Sequence, residues 1–291
     1  SVCVDVTCPN PDLANYSITN VADAFTAFNG VNNLSSQTIA IADNVILTID
    51  AQTPTFNFNN CMLIMGSGSQ IIINPNCTLG LHNNTVIYSC PQMWRGISVG
   101  IGSQIVMRNS TIRDAEYAIT LDDHANYEIR DSYILNCVTG LYTDPNLSSL
   151  FNITGTVTGT QFAKTALLLK GEYPGQPLHG NVGRAGVWFN NVAYIAIGDN
   201  GSTENEFNDI NFGIETHNSN VDVLNCRFHD IVADAAYGNW IVNPALKPWG
   251  CGVHARGIDE ASSINVLPLT SGSTTIENAP VGVYTNFINA R

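Results

Sequence analysis

Charge is scarce in this 291-residue chain: Asp, Glu, Lys and Arg make up 12% of it, with 11 Lys or Arg against 24 Asp or Glu. A formal charge of −13 argues against a nucleic-acid or anionic-membrane partner, because too few cations remain to replace the counterions of a polyanion. No apolar run approaches the roughly 18 residues of a membrane span, so no transmembrane segment is expected. The first residues carry neither a basic n-region nor an apolar h-region, which suits the start of an already processed, exported chain. The eight cysteines include no Cys-x-x-Cys pair, which argues against a zinc ribbon. Cys3 and Cys8 are close enough to pair, and a disulfide would agree with export. Cys137 and Cys226 occupy repeat positions where a thiol serves as a small buried hydrophobe.

With few charges, 44% hydrophobic residues and a surface left to Asn, Ser, Thr and Gly, the chain needs a way to bury a large core. A repeated phrase supplies it. In NSTIRDAEYAITL, Ile112, Asp114, Ala118 and Ile119 set a pattern that returns at Ile134, Asn136, Gly140 and Leu141. It comes back at Phe207, Asp209, Gly213 and Ile214, and again at Ile276, Asn278, Gly282 and Val283. Phe228 with Asp230 is a partial copy, and Gly96 with Ile97 matches the second half. The steps from 97 to 119 and from 119 to 141 are 22 residues each, and 207 to 228 is 21. The 45 residues from 162 to 207 and the 48 from 228 to 276 read as about two periods with additions. A sustained period of this length marks a solenoid.

The repeat is β rather than helical, because QIIINP, SQIVMRN, YEIRDSYIL and NVDVLNC place β-branched residues at period-two spacing. The expected fold is therefore all-β: a parallel β-helix with three strands per coil of about 22 residues, coils stacking about 4.8 Å apart. Ile112 and Ile119 should fill the coil, Asp114 should shape a turn, and Ala118 should ease a tight bend. Residues 1–38 form an N-terminal strand and capping segment, and residues 39–291 the solenoid, interrupted near 170–186 and 238–260. In the capping segment Val21, Ala24, Phe25 and Phe28 have helical spacing, with Asn20 as N-cap and Gly30 as stop, so a short helix should cover the first coil.

The run MWRGISVGIGSQIVMRNSTIRDAEYAITL resembles the right-handed parallel β-helix of secreted bacterial surface proteins, especially cargo of the type IX secretion system. The resemblance is good over residues 60–145 and loose to 290. It implies right-handed coils, an extracellular or cell-surface location, and membership of a pectate-lyase-like fold group whose functions include adhesins, matrix proteins and carbohydrate-active enzymes.

Candidate chemistry is sparse. Asp114, Asn136, Asp209, Asp230 and Asn278 share one repeat position. Stacked there they could bind calcium, but Asn alternates freely with Asp, and both residues shape turns and tolerate left-handed backbone, so a structural turn column is expected. Asp122, Asp144, His217 and Asn286 form a second column, read as a solvated edge. Asp122 and Asp123 resemble the paired aspartates of polygalacturonase-like hydrolases only as a dipeptide, since the accompanying motifs are absent. His254 near Asp259 is a weak acid–base option. The interruptions are the better places for ligand contacts: Tyr173, His179 and Arg184 in the first, Trp240, Trp249 and Arg256 in the second, where rings stack on sugars or anchor a partner, or else pin the loops to the coil. The alternating Val2, Val4 and Val6 are candidates for strand addition and self-association. No metal site or obligatory cofactor is assigned. The sequence thus points to a secreted, non-catalytic structural or adhesive protein that self-assembles end to end and meets glycans or cell surfaces; the rival reading is a polysaccharide lyase or glycoside hydrolase.

Overall fold

The computed structural model describes residues 14–90, 92–145, 150–165, 169–199, 203–240, 250–257, 263–267, 274–286 and 289–290. Its strands are short and all pair in parallel, coil upon coil. Sheet A holds ten strands from Tyr16–Ile18 to Thr275–Glu277, and sheet B ten from Ala22–Asp23 to Val281–Asn286. The third face is carried by two sheets: sheet C, six strands from Asn33–Ser35 to Thr154–Thr158, and sheet D, four from Ile195–Ile197 to Asn289–Ala290. This is a parallel β-solenoid, as the period and the alternation require.

Register explains the repeated phrase. The inward column of sheet A runs Ile87, Ile112, Ile134, Phe162, Phe207, Phe228 and Ile276, each paired with the next. Sheet B has its own column: Ile97, Ile119, Leu141, Val187, Ile214, Val253 and Val283. Phe162 therefore lies directly on Phe207, and Phe228 directly on Ile276. Each long gap is one enlarged coil and not two periods. The added residues leave at the corner between sheets A and B, where a loop can grow without breaking a ladder.

The Gly or Ala that precedes each sheet B aliphatic does more than ease a bend. A Cβ on Gly186 would meet the Phe207 ring at 2.5 Å, and one on Gly213 would meet the Phe228 ring at 2.2 Å. Each glycine thus leaves room for the aromatic of the following coil. The rings stack in turn, Phe162 on Phe207 at 4.9 Å and Phe207 on Phe228 at 4.8 Å between centroids. That spacing is the separation of paired strands, so the backbone ladder and the aromatic stack reinforce one another.

The turn column behaves as expected. Asp114, Asn136, Asp209, Asp230 and Asn278 all have left-handed backbone, with φ of 62°, 53°, 51°, 52° and 49°. Asn and Asp tolerate this region better than other non-glycine residues because a short polar side chain can bond locally. Here such bonds also join coils: the Asn136 carboxamide binds Thr165, and Asn278 Nδ2 donates to Asp230 Oδ1 at 3.1 Å.

The solenoid begins before residue 39, since Tyr16–Ile18 pairs with Thr38–Ile41 and Asn33–Ser35 with Thr55–Asn59. The capping helix shrinks to one turn, Ala24–Ala27. Its N-cap is Asp23 and not Asn20, because the Asp23 carboxylate accepts from Thr26 N at 2.7 Å. Its C-cap is Phe28, and the left-handed pair Asn29, φ 54°, and Gly30, φ 79°, follows beyond it. Val21 and Phe25 face outward, 68% and 43% exposed, so only Ala24 and Phe28 of the helical pattern reach the core. Phe28 packs 5.1 Å from Phe56 and 6.0 Å from Phe58, closing the interior of the first coil.

Cys61, Cys77, Cys137, Cys226 and Cys251 are buried free thiols. Cys137 and Cys226 are the small buried hydrophobes their repeat positions suggest, and burial pushes both thiols up to about 12. Cys3, Cys8, Val2, Val4 and Val6 lie outside the described residues. No helix among the described residues is long and apolar enough to cross a membrane.

Candidate functional site

Parallel pairing puts alternate residues of sheet B on its outer surface. There the strands Gly183–Asn190 and Cys251–Arg256 are parts of the two interruptions, so Arg184, His254 and Arg256 sit on ladder strands and not on loops. Tyr142, Trp188, Glu215, His254 and Tyr284 line up one above the next, each just after an inward aliphatic. Beside them lie Ala185, Phe212 and Cys251, with Tyr237 packed over the group from outside the sheet.

At the centre is a buried ion pair. Arg184 Nε donates to Glu215 Oε2 at 2.9 Å and its Nη2 to Oε1 at 3.0 Å, a bidentate fork. The guanidinium also lies 3.5 Å from the centroid of the Trp188 ring. His254 stacks on Phe212 at 5.1 Å, with Nδ1 3.7 Å from Glu215 Oε1, beyond hydrogen-bond distance. Burial alone would raise the Glu215 carboxyl, but Arg184 and His254 outweigh it and hold it down to about 2. Glu215 is therefore a fixed carboxylate that balances Arg184 and is too acidic to serve as a proton donor near neutrality.

The residues foreseen in the first interruption hold that segment to the coil. Tyr173 is buried, donates its hydroxyl to Glu116 and lies under Arg95, whose Cζ is 5.2 Å from its ring centroid. Burial raises the Glu116 carboxyl, against the opposing effects of Tyr173, Arg95 and His179. The ring nitrogens of His179 reach the carbonyls of Gly180, at 2.8 Å, and Lys170, at 3.0 Å. The two interruptions are stapled together: Asp234 Oδ2 accepts from Asn181 N at 2.8 Å, while Tyr237 takes a bond from Gly180 N and donates to Val182 O. Tyr173→Phe removes the hydroxyl donated to the buried Glu116 carboxylate and should cost about 1–3 kcal/mol. Hydrogen exchange should locate the loss in residues 169–182 and on the strand Tyr117–Leu121, with the distant N-terminal coils unchanged.

Asp122 and Asp123 do not converge on a shared target. Asp122 Oδ1 accepts from Asp123 N at 2.7 Å, and Asp123 Oδ1 accepts from Asn152 N at 2.8 Å and His124 N at 2.9 Å. The backbone N–H of Asn152, aided by His124, keeps the Asp123 carboxyl below the usual range. Both carboxylates fasten a turn. The acidic neighbour of His254 is Glu215, while Asp259 lies outside the described residues, as does Trp249. Trp240 ends a short 3-10 turn, Ala235–Trp240. Arg256 is half-buried and sits in register with His217 and Asn286, so it joins the column read as a solvated edge. Among the described residues no three His, Cys, Asp or Glu side chains gather as a metal-binding group.

Glu215, Trp188 and Glu116 were not singled out in the sequence, although a signal existed. Position 215 follows the inward Ile214 of the repeated phrase, which marks it as outward. Val187 and Val253, the corresponding inward residues of the neighbouring coils, were hidden by reading the long gaps as two periods.

Comparison of the chain with family models, curated proteins and solved structures finds no match, so what it is similar to rests on the β-solenoid itself.

Proposed function

We propose that this protein is a secreted, non-catalytic scaffold of the cell surface or extracellular matrix, structural or adhesive in role. The observation that carries the reading is the way its reactive side chains are used. Glu215 is locked by Arg184, Glu116 by Tyr173, and Asp123 by backbone N–H groups, so each is committed to holding a loop or turn. General acid–base chemistry needs a group that titrates near the working pH within reach of an open substrate position. A parallel β-solenoid whose outer surface leans on Asn, Ser, Thr and Gly serves display and adhesion instead.

End-to-end association is the finer part of the proposal. Val281–Asn286 is the outermost strand of sheet B, and Val283 of its inward column is 44% exposed. A further coil, of this chain or of a second copy, would continue that column by parallel pairing. The deciding experiment incubates purified protein with acidic and neutral polysaccharides and assays new reducing ends and unsaturated products. None should appear under conditions where the protein remains folded, and turnover would replace the scaffold reading with a polysaccharide lyase or hydrolase. Light scattering at rising concentration, with and without calcium, tests association; a strictly monomeric protein would remove the filament component.

A further inference from the structure

Outward positions of sheet A are not equally open. Register places Ala40, Ile64 and Tyr88 one above the next on its outer surface, each following an inward residue of the Ile39, Leu63 and Ile87 column. On a bare face they would meet water, as Tyr133 of the same sheet does at 49% exposed. Instead Ala40 and Ile64 are 6% exposed and Tyr88 is 1% exposed. The Tyr88 hydroxyl donates to Met62 Sδ at 3.5 Å, so the ring leans over the preceding coil and its outer side still has to be covered. The first interruption packs through Leu169 and Tyr173 on Met93 and Val138, at the corner toward sheet B, and so lies to one side of Ala40 and Ile64. Two residues beyond Tyr88, Cys90 is disulfide-bonded. Cys61, Cys77, Cys137, Cys226 and Cys251 are free thiols, so of the eight cysteines only Cys3 and Cys8 are left as its partner.

We propose that residues 1–13 are a strap across the outer face of sheet A, fastened to Cys90 through Cys3 or Cys8. The segment leads into Tyr16–Ile18, the first strand of sheet A, and Cys90 follows Val86–Ser89, three ladder steps further on. Three steps are about 14 Å. The six residues from Cys8 to Ala14 reach about 20 Å when extended and the eleven from Cys3 about 36 Å, so either thiol can cross the intervening strands. Val2, Val4, Val6 and Leu13 supply the apolar side chains that a surface of Ala40, Ile64 and Tyr88 takes. The Sγ–Sγ bond forms as both thiols lose their protons and two electrons pass to a disulfide oxidant, which leaves as two thiols. Such exchange belongs to an oxidising compartment, in keeping with export. The short-range pairing of Cys3 with Cys8 is then excluded. The three alternating valines are assigned to the chain's own sheet instead of a second copy, which leaves end-to-end association to the strand Val281–Asn286.

The bond is mapped on the full chain, produced by secretion and unfolded with its free thiols alkylated. Cleavage on the N-terminal side of aspartate separates Cys3 in residues 1–4, Cys8 in 5–11 and Cys90 in 50–113. Mass spectrometry should find 50–113 joined to 1–4 or to 5–11. Cys90→Ser should abolish the joined species, which sets aside Cys61 and Cys77 of the same fragment. Hydroxyl-radical footprinting of the folded protein tests the cover. Tyr88 should be protected in the wild type and labelled at least fivefold more in a full-length variant carrying Cys90→Ser, Val4→Asp and Val6→Asp. Tyr133, already open, is the internal control and should not change. Residues 1–4 joined to 5–11, Cys90 recovered in alkylated form, or equal Tyr88 labelling in the two proteins would overturn the proposal. Each of those outcomes would leave the scaffold reading standing, since that is decided by product release from polysaccharides.

Discussion

Gly213→Ala should destabilise the solenoid by about 1–3 kcal/mol, the usual cost of adding a methyl group to a core that cannot move aside. The new Cβ would sit 2.2 Å from the Phe228 ring and 2.5 Å from the Gly252 carbonyl oxygen. The ring cannot retreat, because it is stacked on Phe207 at 4.8 Å, and the carbonyl belongs to the adjoining strand of sheet B. Chemical denaturation monitored by circular dichroism measures the loss. Combining Gly213→Ala with Phe228→Leu should recover part of it, giving a coupling energy of opposite sign to the single effects. Gly171→Ala is the control: nothing lies within 4 Å of its added Cβ, and it should be close to neutral. If Gly213→Ala were as mild as Gly171→Ala, the interlock between glycine and aromatic columns would not be what fixes the register of these coils.

Arg184→Ala should be larger in effect, about 3–5 kcal/mol, because it strands the Glu215 carboxylate in a buried position. Replacing both partners with apolar side chains, Arg184→Met with Glu215→Leu, should restore most of the stability, since no uncompensated charge is left behind. The acid limb of the stability curve gives an independent reading. Glu215 has a folded-state value of about 2 against an ordinary 4.5. Its contribution is therefore fully present above pH 4.5 and disappears as pH falls toward 2, where the folded carboxylate finally takes up a proton. Wild-type protein should lose stability across that window more steeply than the double apolar variant. Parallel acid limbs for the two proteins would show that Glu215 is not held by Arg184 in solution.

Both experiments concern residues whose importance is unequally visible in the chain. Gly213 stands in the repeated phrase, and its small size is apparent there; what it makes room for is not. Phe228 is fifteen residues away and meets Gly213 only because the coil closes and stacks. Arg184 and Glu215 are separated by 31 residues and share no motif. They meet because Val187 pairs with Ile214, which sets Trp188 beside Glu215, and the long Arg184 side chain lies over the Trp188 ring to reach the carboxylate.

The period, the alternation of apolar residues and the left-handed Asp and Asn positions follow from the sequence by itself, because each depends on contacts within a few residues or on a pattern repeated at fixed spacing. Side-chain period two decides which residues point inward, and Asn or Asp at a sharp corner reflects local backbone energetics. What only the tertiary structure decided is how the irregular parts meet the regular ones. The same 45 residues between Phe162 and Phe207 are compatible with two coils or with one coil and a loop, and the choice is made by which strand completes the parallel ladder. Once Phe162 pairs with Phe207, the extra chain is forced outside, where Tyr173 and Tyr237 tie it down over sheet B. Burial of Arg184, Glu215 and His254 follows from that covering, since an outward strand position is solvent-facing until another segment lies across it.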